Sequence, residues 1–451
     1  LDHSFPNFPN QEVVGWGLRA MRLDQLPANY RGHGVRVAVV DSGVATSHQQ
    51  LQPVVKGGYD AVAQSPQGWD RDEYGHGSHA AGIVAAAADG KGIRGIAPEV
   101  ELHSIRVFPG GRVSHLIDAL NRCIELQVDL VNLGVGCEEY SELLELKLRE
   151  AKELGVACIV AAGSSGGPVQ YPASSPHVLT VAAIGRWGEF PADSYHATQA
   201  WEGPAESTEQ YFSARFSCAG PEIDVCAPGV AVLSCVPPND YAMRDGTSAA
   251  APHVTGLAAL VLAHHPELQG ALRVRDAARV DRLFRLLRQS ARPLNLDPNR
   301  TGAGLPDAVN ALLRRHPEIQ AVQPEELRRR LLAILEAGQS GTTDRATLVE
   351  QILVTVQQSS ALPIAAVPQP RGDDPRFALK QLRGAMQQAG LLPRKGRGAG
   401  LASQQRARGA AAMGASAGPG AGRSSGEGGT TPGDGWPMRE LTEVMRQTGL
   451  L

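Results

Sequence analysis

From residue 35 to about residue 265 the chain alternates short apolar runs with longer segments of helical period, the pattern of βαβ units on a parallel sheet. The runs fall at 35–40, 100–107, 128–133, 156–162, 178–184 and 231–236. All are rich in Val and Ile, and near-continuous apolarity marks strands covered on both faces. Between them Val113, Leu116, Ile117, Leu120 and Ile124 recur at helical spacing, which predicts a helix over 113–127 with one apolar stripe on the sheet. Residues 141–154 read the same way, and Gly155 stands where it can end that helix. Residues 187–210 are polar and aromatic without a period and read as a long surface insertion. The expected fold class is α/β, a parallel β-sheet flanked by helices, occupying residues 1–316.

The pattern changes beyond that point. Residues 317–367 hold PEELRRRLLAILEAG and DRATLVEQILVTVQQ, two amphipathic stretches that predict a small helical segment. Residues 368–451 form a Gly/Ala-rich tail. Between 393 and 436, 13 of 44 residues are Gly and almost none is large and apolar, so burial cannot offset the entropy of ordering and a flexible, partly disordered extension is expected. Within it LKQLRGAMQQAGLL (379–392) aligns without gaps to MRELTEVMRQTGLL (438–451). Apolar residues spaced for one helix face, followed by a stopping Gly, predict two repeated short helices. They read either as docking helices on a tether, for a groove in cis or a partner in trans, or as helices that pack on the body.

Composition narrows the classes. A 451-residue chain with 42% hydrophobic residues can bury a large core. With 43 Lys and Arg against 46 Asp and Glu, the net charge of −3 gives no footprint for nucleic acid, and no such partner is expected. The six basic side chains of 393–436, against two acidic ones, read as a solvated spacer. No apolar run reaches the roughly 18 residues of a membrane span, so none is expected. Six cysteines without CxxC spacing are too sparse for a disulfide scaffold and read as free core thiols, as at Cys158 inside the run 156–162. The opening LDHSFPNFPN has neither a basic head nor an apolar stretch. With the unpaired cysteines, that lack of a visible leader leans toward the cytoplasm.

Three segments carry candidate chemistry. VRVAVVDSG is an apolar strand that delivers Asp41 at its carboxyl end, where α/β sheets place their sites. In DEYGHGSHAAGIVAAAA, His76 lies between two glycines at the start of a small-residue helix that can pack closely. In DGTSAAAPHVTGLAALVLAHH, Ser248 opens an apolar helix, with Pro252 tolerated in its first turns. The free N–H groups of such a helix start stabilise a developing oxyanion. Singly, each has a plain structural reading as a strand-end turn, a tight GHG turn and an N-cap.

Together, and in the order Asp, His, Ser, they resemble the motifs of the subtilisin-like serine protease (subtilase) family: DSG at 41–43, HGSHAAG at 76–82 and GTSAAAPHV at 246–254. GIAP (95–98), DVCAPG (224–229) and TGAGLPDAVNA (301–311) extend the resemblance over about residues 12–312. It implies a subtilisin-like fold and a serine endopeptidase, with His76 as general base, Ser248 as nucleophile and Asp41 holding the imidazole. It also implies a polypeptide substrate that pairs with Gly134, Val135 and Gly136, a pocket wall at 161–163 ending on Gly163, and Phe216 toward the leaving group. Gln170 stands where it can reach the pocket floor. A dedicated processing role is the expectation drawn from the tail. Most relatives of this kind are secreted, which opposes the cytoplasmic lean.

The chain departs from the family in two places that matter. Where the family has AAGN, this chain has AAGS, so Ser164 replaces an Asn whose amide donates into the oxyanion hole, a contact whose loss costs roughly 100- to 1,000-fold in rate. A hydroxyl is shorter and its proton rotates. The alternative is therefore a weakly catalytic peptide-binding module on the same scaffold. No cofactor is required by the resemblance, but it implies a calcium site from loop 87–92, with Asp89 as side-chain ligand and Gln50 where the family has an acidic ligand. An amide there weakens a hard-cation site, and Asp89 reads equally as a turn residue. His48, His79 and His253 are expected to be structural, and Ala249 replaces an oxidation-prone Met.

Overall fold

In the computed structural model the described residues are 12–313 apart from 138, 202–208 and 270–272, together with the backbone of 3–4. The chain divides at His316 into two units, and the described residues all fall in the first. The helical segment 317–367, the tail and the repeats at 379–392 and 438–451 lie outside the described residues.

The strands are β1 (His3–Ser4), β2 (Arg36–Asp41), β3 (Val55–Asp60), β4 (Glu101–Arg106), β5 (Leu130–Leu133), β6 (Ala157–Ala161), β7 (Leu179–Arg186), β8 (Tyr211–Ser213), β9 (Val225–Pro228), β10 (Val232–Val236) and β11 (Asp240–Arg244). The α-helices are α1 (Trp16–Ala20), α2 (His76–Ala85), α3 (Val113–Glu125), α4 (Glu142–Glu153), α5 (Thr247–His264), α6 (Ala277–Ser290), α7 (Pro298–Thr301) and α8 (Ala308–Leu312). An eight-stranded sheet runs β3-β4-β2-β5-β6-β7-β8, with β9 also on β7, and every pairing except β7 with β8 is parallel.

Both faces of the sheet are covered. Along β2, Val37 and Val39 enter one core with α2 and α5, while Ala38 and Val40 enter a second core with α3 and α4. This is the two-residue alternation of a strand, and the reason its runs look continuously apolar. Leu116, Ala119, Leu120 and Cys123 of α3 are buried at helical spacing. Gly155 follows α4 with φ +76°, the left-handed conformation of a helix stop. Helix α5 is buried on nearly every side, so it is apolar all round.

Two expectations are corrected. The run 231–236 does form strand β10, but in a separate antiparallel sheet with β11 and β1. Val236 pairs with Asp240, and so short a connection permits only antiparallel pairing. The expected surface insertion at 187–210 is partly core: Phe190, His196 and Gln199 are buried, and Trp187 lies 4.8 Å from Phe212 between ring centroids. Its aromatic residues cover the β7–β8 edge, a use that periodicity cannot signal. All six cysteines are free, and Cys123, Cys158, Cys218, Cys226 and Cys235 are buried. No helix among the described residues is long and apolar enough to cross a membrane.

Candidate active site

Strand β2 ends on Asp41, which is fully buried and accepts a hydrogen bond from the Ser42 N–H at 2.7 Å. The same Oδ1 lies 2.6 Å from Nδ1 of His76, the first residue of α2. The Asp41 charge raises the His76 pKa above its ordinary value against the opposing effect of burial. With Nδ1 donating to the carboxylate, Nε2 is left bare as an acceptor. It stands 2.8 Å from Oγ of Ser248, the second residue of α5.

The start of α2 is fixed by a residue that sequence reasoning missed. Buried Asp72 accepts from the N–H groups of Gly75 (2.8 Å) and Ser78 (2.8 Å) and from the Ser42 hydroxyl (2.7 Å). Ser42 Oγ in turn accepts from the Gly77 N–H at 2.9 Å. Free donors at a helix start are thus satisfied by one carboxylate, which also ties that start to the turn after Asp41. An acid a few residues ahead of a helix was the signal available.

The other motif histidines differ in kind. His79 Nε2 donates to the Val232 carbonyl at 2.9 Å, and burial lowers its pKa to about 3. His253 Nδ1 donates to the Ala249 carbonyl at 2.9 Å and is lowered to about 4 by burial. Burial also lowers His48, whose Nε2 donates to the Asp240 carbonyl at 3.0 Å. These three are held neutral, whereas His76 has a carboxylate partner and access to Ser248.

Ser164 lies beside the nucleophile loop. Its Oγ accepts from the Thr247 N–H at 3.2 Å and is 3.1 Å from Thr247 Oγ1, which itself accepts from the Gly163 N–H at 3.2 Å. A Cβ built on Gly246 would come 2.9 Å from Ser248 Oγ and 3.9 Å from Ser164 Oγ, so the two hydroxyls flank one space.

Of the expected substrate-side residues, Gly134 lies beside Asp41 and His76, and Gly136 and Gly163 both approach Gln170. Residues 134–136 run on from the end of β5 outside the ladder, and Val135 packs against the second core. A Cβ on Gly134 would stand 2.5 Å from Asp41 Oδ2 and 3.4 Å from His76 Cε1, so only Gly lets this segment pass so close. A Cβ on Gly163 would come 2.3 Å from Gln170 Oε1, and one on Gly136 would come 3.6 Å from the same atom. Gln170 therefore stands between the two walls. Phe216 packs against the first core, and its carbonyl accepts from the Gly166 N–H at 2.6 Å.

Gln50 and Asp89 fall in a separate cluster. Gln50 is fully buried, with Nε2 2.5 Å from the Lys91 carbonyl and 2.7 Å from that of Ile93. Asp89 is exposed and accepts from the Lys91 N–H at 3.1 Å. Among the described residues no group of three or more His, Cys, Asp or Glu side chains is placed to hold a metal ion.

Comparison with known proteins bears on this geometry. The sequence profile of the subtilase family matches residues 32–304. Subtilisin DY of Bacillus licheniformis is 32% identical over 269 residues, covering 58% of this chain and 88% of that protein. Subtilisin E of Bacillus subtilis is 33% identical over 274 residues, covering 59% of this chain and 65% of its own length. Among solved structures, fervidolysin from Fervidobacterium pennivorans, a keratinolytic enzyme related to subtilisin, superposes with a TM-score of 0.55 at 28% identity. That match covers 67% of this chain and 46% of the fervidolysin chain.

Proposed function

The chain belongs to the subtilase family and is a subtilisin-like serine endopeptidase, and from that premise we propose that Asp41, His76 and Ser248 are its catalytic triad. The observation that carries this reading is one imidazole bridging two partners, 2.6 Å to Asp41 on one nitrogen and 2.8 Å to Ser248 on the other. Nε2 takes the Ser248 proton as Oγ attacks the carbonyl carbon of the scissile bond. The tetrahedral intermediate collapses when His76 returns that proton to the leaving amine, which leaves an acyl-enzyme on Ser248. Water, deprotonated by His76, then releases the acid product. Asp41 holds the tautomer and stabilises the imidazolium throughout.

Charge develops on the carbonyl oxygen beside the amino end of α5. Of the first N–H groups there, Thr247 donates to Ser164 Oγ and Ala249 to the Gly246 carbonyl, which leaves that of Ser248 to face the oxyanion. The Ser164–Thr247 pair holds two hydroxyl protons and uses one between them. The second is the side-chain donor in place of the family's Asn amide. This reasoning favours a working enzyme over the peptide-binding module.

The substrate is an extended polypeptide that adds as a strand to residues 134–136, with its pocket between those residues and 161–163. Phe216 lies toward the leaving-group side. A dedicated processing role rests on the tail alone. Deleting residues 368–451 should alter partner binding or substrate choice, and unchanged behaviour would remove that role.

A serine-directed fluorophosphonate probe with peptide mapping tests the triad. Labelling at Ser248 that is lost in Ser248→Ala and strongly slowed in His76→Ala is expected. Labelling at another serine, or none on a folded chain, would overturn the assignment.

A further inference from the structure

The loop at 87–93 points three main-chain carbonyls, those of Ala87, Lys91 and Ile93, at one atom, the side-chain nitrogen of Gln50, at 3.4, 2.5 and 2.7 Å. Three carbonyl oxygens converging on a single centre is the arrangement a hard cation receives, at about 2.3 to 2.6 Å for calcium. Here the centre is a neutral N–H donor. We propose that the Gln50 amide takes the place of a cation in this chain, holding the loop by hydrogen bonds so that the loop takes no calcium.

The orientation of the amide follows from its neighbours. Oε1 accepts from the Ile93 N–H at 3.1 Å and from the Tyr241 hydroxyl at 2.9 Å. Turning the amide over would set its oxygen against three carbonyl oxygens and its N–H groups against two donors. Length completes the argument. An Asp carboxylate at this position would be one methylene shorter, stopping at the wall of the ring with room for an ion at the centre. Gln reaches the centre itself. Its nitrogen occupies the point on which the carbonyls converge, 2.5 Å from that of Lys91 and 2.7 Å from that of Ile93, so amide and cation exclude each other, and the residues present do not fit the ion.

Asp89 does not contribute to the ring. It is exposed, and its carboxylate closes an ordinary turn onto the Lys91 N–H. The cross-link also joins three parts of the fold. The Gln50 carbonyl accepts from the Ala87 N–H at 3.0 Å, Tyr241 belongs to β11, and Gly92 accepts from the Val13 N–H at 2.7 Å. Gly92 has φ +57°, and a Cβ there would come 2.8 Å from Gln50 Oε1 and 2.1 Å from the Tyr241 hydroxyl, so the cluster is closed around the amide.

The test uses the full chain carrying Ser248→Ala, so that self-digestion cannot imitate unfolding. Thermal unfolding is followed with calcium and with a chelator, and calcium binding by isothermal titration. The parent is expected to unfold at the same temperature in both conditions. Gln50→Leu should unfold about 5 °C lower in both, because the Lys91 and Ile93 carbonyls lose their donor, that of Ile93 in a buried bond, and the Ile93 N–H and the Tyr241 hydroxyl lose their acceptor. Gln50→Asp should unfold lower only in chelator and recover in calcium, with a titratable site that a further Asp89→Ala weakens. If that variant does not fold, Gln50→Glu serves instead. It sets a carboxylate against the carbonyls, so its midpoint relative to the parent should rise as the pH falls and the carboxyl takes up a proton. A calcium-dependent midpoint in the parent that Asp89→Ala abolishes would overturn the proposal. So would a Gln50→Asp chain indifferent to calcium, or a Gln50→Glu difference that stays flat with pH.

Discussion

Oδ1 of Asp41 stands 2.6 Å from Nδ1 of His76, and its charge outweighs burial to raise the imidazole pKa above the ordinary 6.5. In the proposed triad His76 acts as a base and must be neutral, so the rate should fall on the acid side as the pH drops through that raised value. Asp41→Asn removes the largest cause of the shift, and the acid limb should move to lower pH. The same change loses the tautomer that bares Nε2, so kcat should fall about 10,000-fold. Profiles of kcat/KM against pH for both enzymes check the two effects together. An acid limb that stays in place would mean that another group sets it.

Ser164 and Thr247 share one hydrogen bond at 3.1 Å, which leaves one of their two hydroxyl protons outside that bond, the one proposed above as the oxyanion donor. A fixed amide donor should do better than a rotating hydroxyl. Ser164→Asn is expected to raise kcat about tenfold with KM little changed, the mark of an interaction made only in the transition state. Ser164→Ala combined with Thr247→Val removes both hydroxyls of the pair, and with them the proposed side-chain donor, and should lower kcat by roughly 100-fold. Steady-state kinetics on a chromogenic peptide separate the two constants. Equal rates in all three enzymes would place the oxyanion donors elsewhere.

The Gln170 side chain lies between Gly136 and Gly163, the walls of the proposed pocket, and in that pocket it would fill space that a substrate side chain would otherwise enter. Small or hydrogen-bonding residues before the scissile bond should therefore be preferred. Gln170→Gly opens the pocket and leaves apolar walls, and kcat/KM for a large aromatic residue there should rise at least about tenfold relative to alanine. Profiling with a peptide library reads the ratio directly. An unchanged preference would show that Gln170 does not face the substrate.

The sequence made the parallel sheet legible because strands covered on both faces must be apolar throughout, as Val37 to Val40 are. Strands β3 and β11 were not legible. VKGGYD and DYAMR carry glycines or charges, and only their neighbours make them strands. Among site residues, Asp41, His76 and Ser248 could be named because three spaced motifs bear them. Asp72 could not, since a carboxylate in a polar loop looks like solvent-facing charge until the helix start that it satisfies is in place. Ser164 was legible only as a departure. Its hydrogen bonds with Thr247, 83 residues away, belong to the fold.

His79 is buried against the carbonyls of Val232 and Ala242, and burial lowers its pKa from 6.5 to about 3. Its folded pKa is depressed, so between those values the unfolded chain binds the extra proton. The stability it contributes is complete above 6.5 and is lost as the pH falls toward 3. At about pH 5 this one residue should account for about 2 kcal/mol of destabilisation. In His79→Gln the side-chain amide can still donate to the Val232 carbonyl but cannot titrate. Measured in the Ser248→Ala background, unfolding by denaturant at neutral pH and near pH 5 should show a smaller acid loss for the Gln variant than for the parent. The loss should not vanish, because His253 and His48 are also lowered by burial and add to it in the same direction. An equal loss in the two proteins would mean that His79 takes no part in the acid transition, and that the remaining buried histidines or the carboxylate pairs dominate it.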